Sequence, residues 1–392
     1  MSRDELPAVV ASALATVSRP VCAYVYHRDT LRDRVAALRS VLPARCVLLY
    51  AVKANGHPEV VRTLARVTDG LEVASGGELA LAVAAGAGEV VFGGPAKTDA
   101  ELRAAVAAGA LVNVESGHEL RRLDLVAAAA GTRARVALRV NRPGRALTGS
   151  HTMTGTPTPF GVEESALPDA VALAGRLPGI ELVGFHLHAV SNNLDAARHA
   201  AFVVDAARWA VRAADRFGFD LSYVNAGGGL GVDYTGADRF DLATFGAGLV
   251  AAVDALPRAA RLVLEPGRFL VADAGWYAAE VLDLKRVHGR WFAVLRGGTH
   301  HFRLPAAWGY SHPFTVLPVE AWDYPFDRPE LRDVEVDAVG ELCTPRDVLT
   351  RGQRVDRVRV GDVLVFGRAG GYGWDISHHD FLRHPHPLLL TL

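Results

Sequence analysis

The feature that most limits the fold is the regular alternation of short apolar runs with alanine-rich helical segments between about residues 40 and 270. Apolar strands that alternate with amphipathic helices are typical of a parallel sheet covered by helices. Eight such units within roughly 230 residues favour a (β/α)₈ barrel of the TIM type over an open sheet. The candidate strands are 46–53, 71–75, 89–94, 111–116, 134–141, 181–188, 223–229 and 261–267.

The character of the chain changes after about residue 270. Alternating segments such as RWFAVLRGG and RVRVGDVLVF are bounded by glycine or proline, and no long helical pattern separates them. This composition predicts a second, all-β domain, to which the early segment VCAYVYHRD (21–29) adds a strand. We therefore predict a barrel domain over residues 28–270 and a β domain formed by residues 1–27 and 271–392.

Charge and cysteine content exclude several classes of protein. The 42 basic and 43 acidic side chains leave a net charge of -1, so there is no basic excess for a nucleic acid or a membrane surface. We find no signal peptide and no apolar run of transmembrane length. The three cysteines, Cys22, Cys46 and Cys343, lack metal-type spacing and predict no disulfide framework. We expect a soluble, cytoplasmic protein without a metal.

Polar residues recur where the predicted barrel strands end, which is the active-site end of such a barrel. Each has an ordinary structural explanation when it is taken alone, such as a lysine that reaches solvent or a flexible glycine turn. Their joint occurrence at the strand ends favours a functional site instead. The residues are Lys53, Ser75, Gly93, Glu115, Arg139, Asn141, His188, Gly227–Gly229 and Glu265.

These groups suit one kind of cofactor. A lysine in a desolvated pocket can act as a nucleophilic amine and form a Schiff base. The run AGGGLG lets backbone N–H groups approach a phosphate, the His188 imidazole can stack on a flat ring, and the Glu265 carboxylate can pair with a protonated ring nitrogen. Together they predict a pocket for pyridoxal 5'-phosphate (PLP), the electron sink for chemistry at an amino acid's α-carbon.

Along nearly its whole length the chain resembles the fold-type III PLP-dependent decarboxylases, which include ornithine and diaminopimelate decarboxylases. The motifs that carry the resemblance occur in the family's order: YAVKAN, ASGGEL (74–79), HLHAVS (186–191), AGGGLG (226–231), EPGR (265–268), GELCTPRDVL (340–349) and GGYG (370–373). The cofactor contacts implied by the resemblance come from Lys53, His188, Ser191, Gly227, Gly228, Gly229, Glu265, Gly267, Arg268 and Tyr372.

The resemblance also implies a reaction and an assembly. Lys53 would hold the cofactor, His188 would stack on its ring, and Glu265 would keep the ring nitrogen protonated. Cys343 would protonate the α-carbon after CO₂ has left, from across the interface of a homodimer with shared active sites. A free cysteine is otherwise often a small buried apolar residue, which is the structural alternative for Cys343.

The chain departs from the best-known family members where the distal end of the substrate is bound. They have an acidic residue after the cysteine, whereas this chain has Thr344, which cannot neutralise a buried ammonium. Pro159–Phe160–Gly161 replaces the family's Lys-Phe-Gly element, after a threonine-rich loop (148–159), and a basic, aromatic stretch occupies 299–314. We predict substrate contacts from Arg139, Thr344, Arg346, Asp347, His301 and Arg303. The alternative for Arg346, His300, His301 and Arg303 is that they are solvated loop residues.

Basic groups in place of an acidic one indicate a distal substrate end that is neutral or carries carboxylates. The segments TPRDVL and GYGWDISHHDF resemble those of siderophore-pathway decarboxylases, which act on a diamino acid amide-linked to citrate. The alternatives are a diaminopimelate, ornithine or lysine decarboxylase, an amino-acid racemase, a non-catalytic regulator, or a TIM-barrel enzyme for another phosphate-bearing ligand. Racemases of this architecture place an arginine at the ring nitrogen, so Glu265 argues against that alternative.

Overall fold

The computed structural model describes residues 6–143, 147 and 149–392. Residues 1–5 of the predicted β domain and Thr148 of the threonine-rich loop therefore lie outside the described residues. The chain divides into two compact units. The barrel unit contains residues 32–232 and 238–270, and the β unit contains the described part of residues 1–31 together with 233–237 and 271–392.

The barrel unit is built on eight parallel strands whose order around the sheet is their order in the chain. The barrel closes because the last strand pairs with the first, with Leu262 opposite Cys46. This arrangement confirms the predicted (β/α)₈ barrel. The strands are Cys46–Ala51, Gly70–Val73, Glu89–Phe92, Leu111–Val114, Ala134–Asn141, Ile180–His186, Tyr223–Asn225 and Arg261–Leu264.

Most of these strands end a few residues before the predicted limits. The first strand stops at Ala51, and Val52–Ala54 continue it as one turn of 3₁₀-helix. The seventh stops at Asn225 because Gly227 and Gly229 have φ angles of +76° and +96°, which a strand does not allow. Most of the polar residues at the strand ends therefore stand on turns that leave the sheet, whereas Arg139 and Asn141 belong to the fifth strand itself.

Helices follow the strands, and several begin at a side chain that caps them. Ser75 accepts a hydrogen bond from the backbone N–H of Glu78, and Thr98 with Glu101 forms a reciprocal capping box. The helices of the described barrel unit are Arg28–Arg39, which begins in the β unit, Pro58–Ala65, Gly76–Ala84, Asp99–Ala107, Gly117–Ala129, Leu167–Arg176, Ala196–Phe217, Leu242–Ala255 and Arg268–Val271, which ends in it.

The interior of the barrel is filled by alternate side chains from its strands, because successive residues of a strand point to opposite faces. Burying a Val or Leu side chain of this kind stabilises the fold by about 1.5–3 kcal/mol. One buried apolar cluster consists of Val47, Leu49, Val91, Leu111, Ala137, Val183, Tyr223 and Val263. The packed interior leaves chemistry to the residues beyond the strand ends.

The β unit contains one sheet of eight mostly antiparallel strands. The predicted early strand is present, since Cys22–Tyr26 pairs antiparallel with Gly275–Val287 and parallel with Leu388–Thr391. Two short helices, Ala8–Leu14 and Leu304–Trp308, accompany the sheet. The other strands are Arg290–Leu295, Thr315–Leu317, Glu330–Val339, Val348–Arg359 and Val363–Phe366.

Side chains from the helix Ala8–Leu14 pack on this sheet and give the β unit its own buried apolar cluster. The cluster consists of Val10, Leu14, Val21, Ala23, Val25, Ala278, Val363 and Val365. Among the helices of the described residues, none is long and apolar enough to cross a membrane. Each unit thus has a separate core.

Candidate active site

Lys53 lies in the 3₁₀ turn that follows the first barrel strand. Its Nζ donates a hydrogen bond to Oε2 of Glu72 at 2.5 Å, and its side chain is 43% exposed while that of Glu72 is 5% exposed. Glu72 belongs to the neighbouring parallel strand, opposite Ala51. The amine is therefore held at the strand end by a buried carboxylate, while the lysine side chain is partly exposed.

Glu265 follows the eighth barrel strand and is buried. Its Oε1 accepts a hydrogen bond from the Asn225 side-chain amide, and its Oε2 lies 3.4 Å from Nε2 of His186. Burial raises the pKa of Glu265, but the His186 imidazole, the Lys53 charge and the Asn225 amide outweigh burial and bring the pKa to about 2. The site thus contains a buried carboxylate that is ionised at neutral pH.

The glycine run 227–229 packs so closely on its surroundings that no side chain fits. A Cβ at Gly227 would come 2.3 Å from Nδ1 of His188, and a Cβ at Gly229 would come 2.4 Å from the carbonyl oxygen of Val190. The turn is held by the Asn225 side chain, whose Oδ1 accepts a hydrogen bond from the Gly227 N–H at 2.8 Å. This loop therefore presents bare backbone.

The half-buried His188 stands beside that loop. Its Nδ1 accepts a hydrogen bond from the Gly228 N–H at 3.3 Å, and its ring lies nearly parallel to that of His186 with centroids 6.2 Å apart. Burial, and then the charges of Arg139 and Lys53, hold the pKa of His188 well below its ordinary value. A neutral imidazole held in one orientation stacks on an aromatic ring better than a protonated imidazole does.

Arg139 is buried at the end of the fifth strand and is tied into the same region. Its Nη1 donates to Oε1 of Glu115 at 2.9 Å, and its guanidinium lies 4.5 Å from the centre of the Phe160 ring. Oε2 of Glu115 accepts the Gly161 N–H at 2.8 Å. The Pro159–Phe160–Gly161 element therefore packs against a strand-end residue that the sequence also singles out.

Three other predicted residues of the barrel unit lie near these elements. Ser191 is half-buried, and its carbonyl oxygen accepts the Ser150 N–H at 2.8 Å. A Cβ at Gly267 would come 2.8 Å from Cβ of Ala54, so Gly267 packs on the turn that carries Lys53. Arg268 is 5% exposed and begins a short helix.

In the β unit, Cys343 is an exposed free thiol in the turn that precedes the strand Val348–Arg359. The Thr344 hydroxyl oxygen accepts the Arg346 N–H at 3.3 Å, and Tyr372 is half-buried with a left-handed backbone (φ +54°). The turn thus presents the thiol and the Arg346 side chain at the surface of this unit.

A cleft of about 810 Å³ lies beside that turn, within the β unit. Three exposed arginines line it: Arg303 before the helix Leu304–Trp308, Arg346 in the turn, and Arg351 on the strand Val348–Arg359. Among the residues that the structure describes, none of these guanidinium groups pairs with a carboxylate, and no Asp or Glu lines the cleft. Its chemistry favours an anionic ligand.

Two of the predicted substrate contacts are placed differently from the expectation. His301 is fully buried, with Nδ1 3.4 Å from the Cys22 sulfur, and Asp347 is 2% exposed. The Asp347 carboxylate accepts the backbone N–H groups of Thr299 at 2.6 Å and Leu342 at 2.8 Å. Both side chains therefore face the interior of the β unit, and their assignment as substrate-binding residues stays a prediction.

Several residues of the site were not predicted from the sequence. Glu72 could have been found as a charged residue inside the apolar run LEVAS, and His186 as the residue two positions before His188, on the same face of a strand. Asn225 precedes the glycine run without a signal of its own. Arg351 joins the cleft only because a distant helix packs beside its strand.

The comparisons with known proteins match this geometry. Residues 28–272 match the family described as pyridoxal-dependent decarboxylase, pyridoxal binding domain. The chain belongs to the pyridoxal-dependent decarboxylases. The predicted fold-type III family, PLP as the cofactor and amino-acid decarboxylation as the activity are thereby confirmed.

Individual relatives of this decarboxylase cover almost the whole chain. It is 41% identical to 2-[(L-alanin-3-ylcarbamoyl)methyl]-2-hydroxybutanedioate decarboxylase of Staphylococcus aureus, over 98% of this chain and 97% of the relative. It is 32% identical to diaminopimelate decarboxylase of Aquifex aeolicus, over 92% and 84%. The solved diaminopimelate decarboxylase of Helicobacter pylori with L-lysine superimposes with a TM-score of 0.86 at 25% identity, over 98% and 94%.

The residues of the barrel unit fit PLP. The glycine run is a cradle that any Cβ would fill, and it offers backbone N–H groups to a phosphate. Both ring nitrogens of buried His186 lack a hydrogen-bond partner among the described residues, although Glu265 lies beside one of them. An amine, a buried anionic carboxylate and an imidazole face therefore complete a donor set that suits the aldehyde, ring nitrogen and ring of PLP.

Proposed function

We propose that this decarboxylase removes the α-carboxylate of a diamino acid whose second amine is joined to citrate through an amide, in siderophore biosynthesis. The observation that carries the proposal is the arginine-lined cleft of the β unit, because Arg303, Arg346 and Arg351 have no carboxylate partner among the described residues. Guanidinium groups bind carboxylates through paired hydrogen bonds, and a citryl group brings carboxylates. The name of the Staphylococcus aureus relative, an alanine linked through a carbamoylmethyl group to hydroxybutanedioate, supports the same substrate class.

Diaminopimelate is the second candidate, favoured by the likeness to diaminopimelate decarboxylases. Its distal end carries an ammonium as well as a carboxylate. The described lining of the cleft offers arginines and the Thr344 hydroxyl but no Asp or Glu to neutralise that ammonium. Three arginines without a carboxylate partner among the described residues repel an ammonium and attract carboxylates, so the cleft favours the citryl conjugate.

We assign the cofactor contacts to the barrel unit and to Tyr372. Lys53 binds the PLP aldehyde through its amine, with Glu72 holding that amine in place before the cofactor arrives. His188 packs on the ring. The phosphate is held by a group of small and polar residues, namely Ser191, Gly227, Gly228, Gly229, Gly267, Arg268 and Tyr372. Arg139 is assigned to the substrate.

The proposed chemistry follows from the charges of these groups. When bound, PLP supplies the sink for the electron pair that departing CO₂ leaves on the α-carbon. Glu265, anionic at neutral pH, holds a proton on the pyridine nitrogen, and its contact with Asn225 fixes the carboxylate in that orientation. Cys343 then gives a proton to the α-carbon as general acid.

We propose that the enzyme is a cytoplasmic homodimer in which Cys343 of one protomer serves the site of its partner. The exposed position of Cys343 supports this assignment, and the three free thiols of Cys22, Cys46 and Cys343 suit a reducing compartment. We further propose residues 28–270 as the PLP-binding domain, with 1–27 and 271–392 as the β domain. The compact barrel unit supports that division.

Subunit complementation tests the shared site. Mixing Lys53→Ala with Cys343→Ala protein should restore about one quarter of wild-type activity, since random exchange makes half of the dimers mixed and each mixed dimer has one intact site. Light scattering should give the mass of two chains, and cell fractionation should place the enzyme in the cytoplasm. A monomer in light scattering, or no restored activity despite subunit exchange, would contradict the shared site.

The substrate is tested by CO₂ release from ornithine, lysine, diaminopimelate and citryl-diamino acid conjugates. The citryl conjugate should give the highest kcat/KM, and Arg346→Ala should lower that value about 10- to 100-fold, the effect of one lost charged hydrogen-bond pair. Arg354→Ala is the matched control, because Arg354 is an exposed arginine on the strand Val348–Arg359 that follows the turn, and it lies outside the cleft. Preference for diaminopimelate, with no effect of Arg346→Ala, would refute the proposal.

A further inference from the structure

The turn that carries Cys343 joins the strands Glu330–Val339 and Val348–Arg359. A side chain on an exposed turn is ordinarily mobile, whereas a proton donor must be held in one orientation. Backbone contacts already hold the turn at its start, since the Glu341 N–H donates to the Gly297 carbonyl at 2.9 Å. The side chains of the turn add a second set of contacts to the segment 296–300, which contains Gly297.

Glu341, two residues before Cys343, is the centre of those contacts. Its Oε1 accepts the Gly297 N–H at 2.9 Å and pairs with the Arg296 guanidinium. The same oxygen lies 3.6 Å from Nε2 of His300 and 3.5 Å from Nδ1 of His384. Although burial raises the pKa of Glu341, these neighbours outweigh burial and lower it, so the carboxylate is anionic.

His300 faces the Glu341 carboxylate from the segment 296–300. Its side chain is completely buried, and neither ring nitrogen has a hydrogen-bond partner among the described residues. Glu341 therefore provides the negative charge that faces this imidazole from the turn. Removing the carboxylate would take away the side-chain contacts of Glu341 with Arg296 and Gly297, and the turn would keep only its backbone bond to Gly297 and the contacts of Asp347.

Asp347 fastens the other side of the turn. Its carboxylate accepts the N–H of Leu342, the residue directly before Cys343, and the N–H of Thr299. Gly298 lies so close that a Cβ there would come 2.5 Å from Oδ1 of Asp347. Both carboxylates thus bind the Cys343 turn to one segment, 296–300, from opposite sides of the thiol.

We propose that Glu341 is a positioning residue that fixes the Cys343 thiol by clamping its turn to the segment 296–300. The clamp is a property of the β unit alone. The consequence for catalysis rests on the proposed function, in which Cys343 gives a proton to the α-carbon. Without the clamp, the thiol samples many orientations and misdirects that proton.

The clamp is tested by the alkylation of Cys343 in the PLP-loaded enzyme, measured with iodoacetamide and mass spectrometry. Burial raises the pKa of Cys22 to about 11 and of Cys46 to about 12, so these thiols react slowly and serve as internal references. We expect Glu341→Ala to raise the alkylation rate of Cys343 about tenfold, the effect of one lost charged hydrogen bond. Glu341→Gln, which keeps an acceptor for Gly297, should raise it less.

Glu330→Gln is the matched control. Like Glu341, Glu330 is paired with arginine, here with Arg332 at 2.5 Å and Arg357 at 2.6 Å, but it stands at the opposite end of the strand that leads to the turn. Glu330→Gln should leave the alkylation of Cys343 unchanged. Wild-type alkylation in Glu341→Ala, or an equal rise in Glu330→Gln, would overturn the clamp. If Glu341→Ala does not fold, Glu341→Gln decides by the same comparison.

A second readout separates the clamp from the role of the thiol. In Glu341→Ala, a larger share of turnovers should place the proton on the former aldehyde carbon of the cofactor in place of the α-carbon. Hydrolysis by water would then release an aldehyde in place of the amine product and leave the amino group on the cofactor as pyridoxamine phosphate, while KM stays near the wild-type value. Faster alkylation with an unchanged product ratio would support the clamp and refute the acid role of Cys343. Unchanged alkylation refutes the clamp whatever the products are.

Discussion

Gly228→Ala tests whether the glycine run is shaped for the close approach of a phosphate. A Cβ at this position would lie 2.3 Å from the Glu265 carbonyl oxygen and 3.0 Å from its carbon, where ordinary contacts begin at about 3.4 Å. Unlike Gly227 and Gly229, Gly228 has no left-handed φ, so the effect of the substitution is steric.

The overlap of about 1 Å falls on backbone atoms, which cannot rotate away as a side chain can. Overpacking of this kind costs about 1–3 kcal/mol, and we expect the upper end because either the loop or Glu265 must move. If the strain is relieved by displacing the loop, the binding free energy of PLP becomes less favourable by the same ~1–3 kcal/mol, because the backbone N–H groups move away from the phosphate. The dissociation constant of PLP should then rise roughly 100-fold.

The assay is a titration of the cofactor-free protein with PLP, followed by the visible absorbance of the bound cofactor. Gly175→Ala is the matched control, because Gly175 lies within the helix Leu167–Arg176 and has no atom within 4 Å of an added Cβ. The control should bind PLP normally and gain up to about 1 kcal/mol of stability. Wild-type PLP affinity in Gly228→Ala would refute the close-approach reasoning.

Three further substitutions test other parts of the molecule. Lys53→Ala should abolish the visible absorbance of bound PLP, and wild-type absorbance would contradict the role of the amine. Cys343→Ala should keep that absorbance but lower kcat about 100-fold, the usual effect of losing a general acid; unchanged kcat would show that the thiol transfers no proton. Glu119→Gln leaves the buried ammonium of Lys97, 2.7 Å from Glu119, without its carboxylate, and should cost about 3–5 kcal/mol in urea denaturation. An unchanged urea midpoint would contradict that estimate.

The barrel could be predicted from the sequence because each of its strands is a nearly continuous apolar run, as buried parallel strands must be. The strand ends were less predictable. Val52 is apolar and fully buried, yet it belongs to the 3₁₀ turn rather than to the strand. An apolar residue such as Val52 indicates that a position is buried, but it does not indicate whether the position belongs to a strand. Buried positions continue beyond Ala51, where the inter-strand hydrogen bonds of the first strand stop.

Site residues could be predicted where a charged side chain ends a buried apolar strand, as Lys53 and Glu265 do, because burying a charge without a partner costs free energy. Site residues could not be predicted where the role depends on whether a side chain points inward or outward. Arg346 and Asp347 are neighbours in the chain, but one lines the arginine cleft and the other binds backbone amides inside the β unit. Which of two adjacent polar side chains turns inward depends on the turn geometry and on the distant segment that packs against it.

The pairing of Cys22–Tyr26 with Leu388–Thr391 has a consequence for synthesis on the ribosome. Arg28 donates from Nε to the carbonyl oxygen of Leu392, 364 residues later, and the Leu392 N–H returns a hydrogen bond to Tyr26 at 2.8 Å. All eight barrel strands have been translated by residue 264, whereas the early strand keeps an open edge until residues 388–391 have been translated. A premature stop before Leu388 would leave that edge unpaired, and an unpaired edge strand recruits other chains.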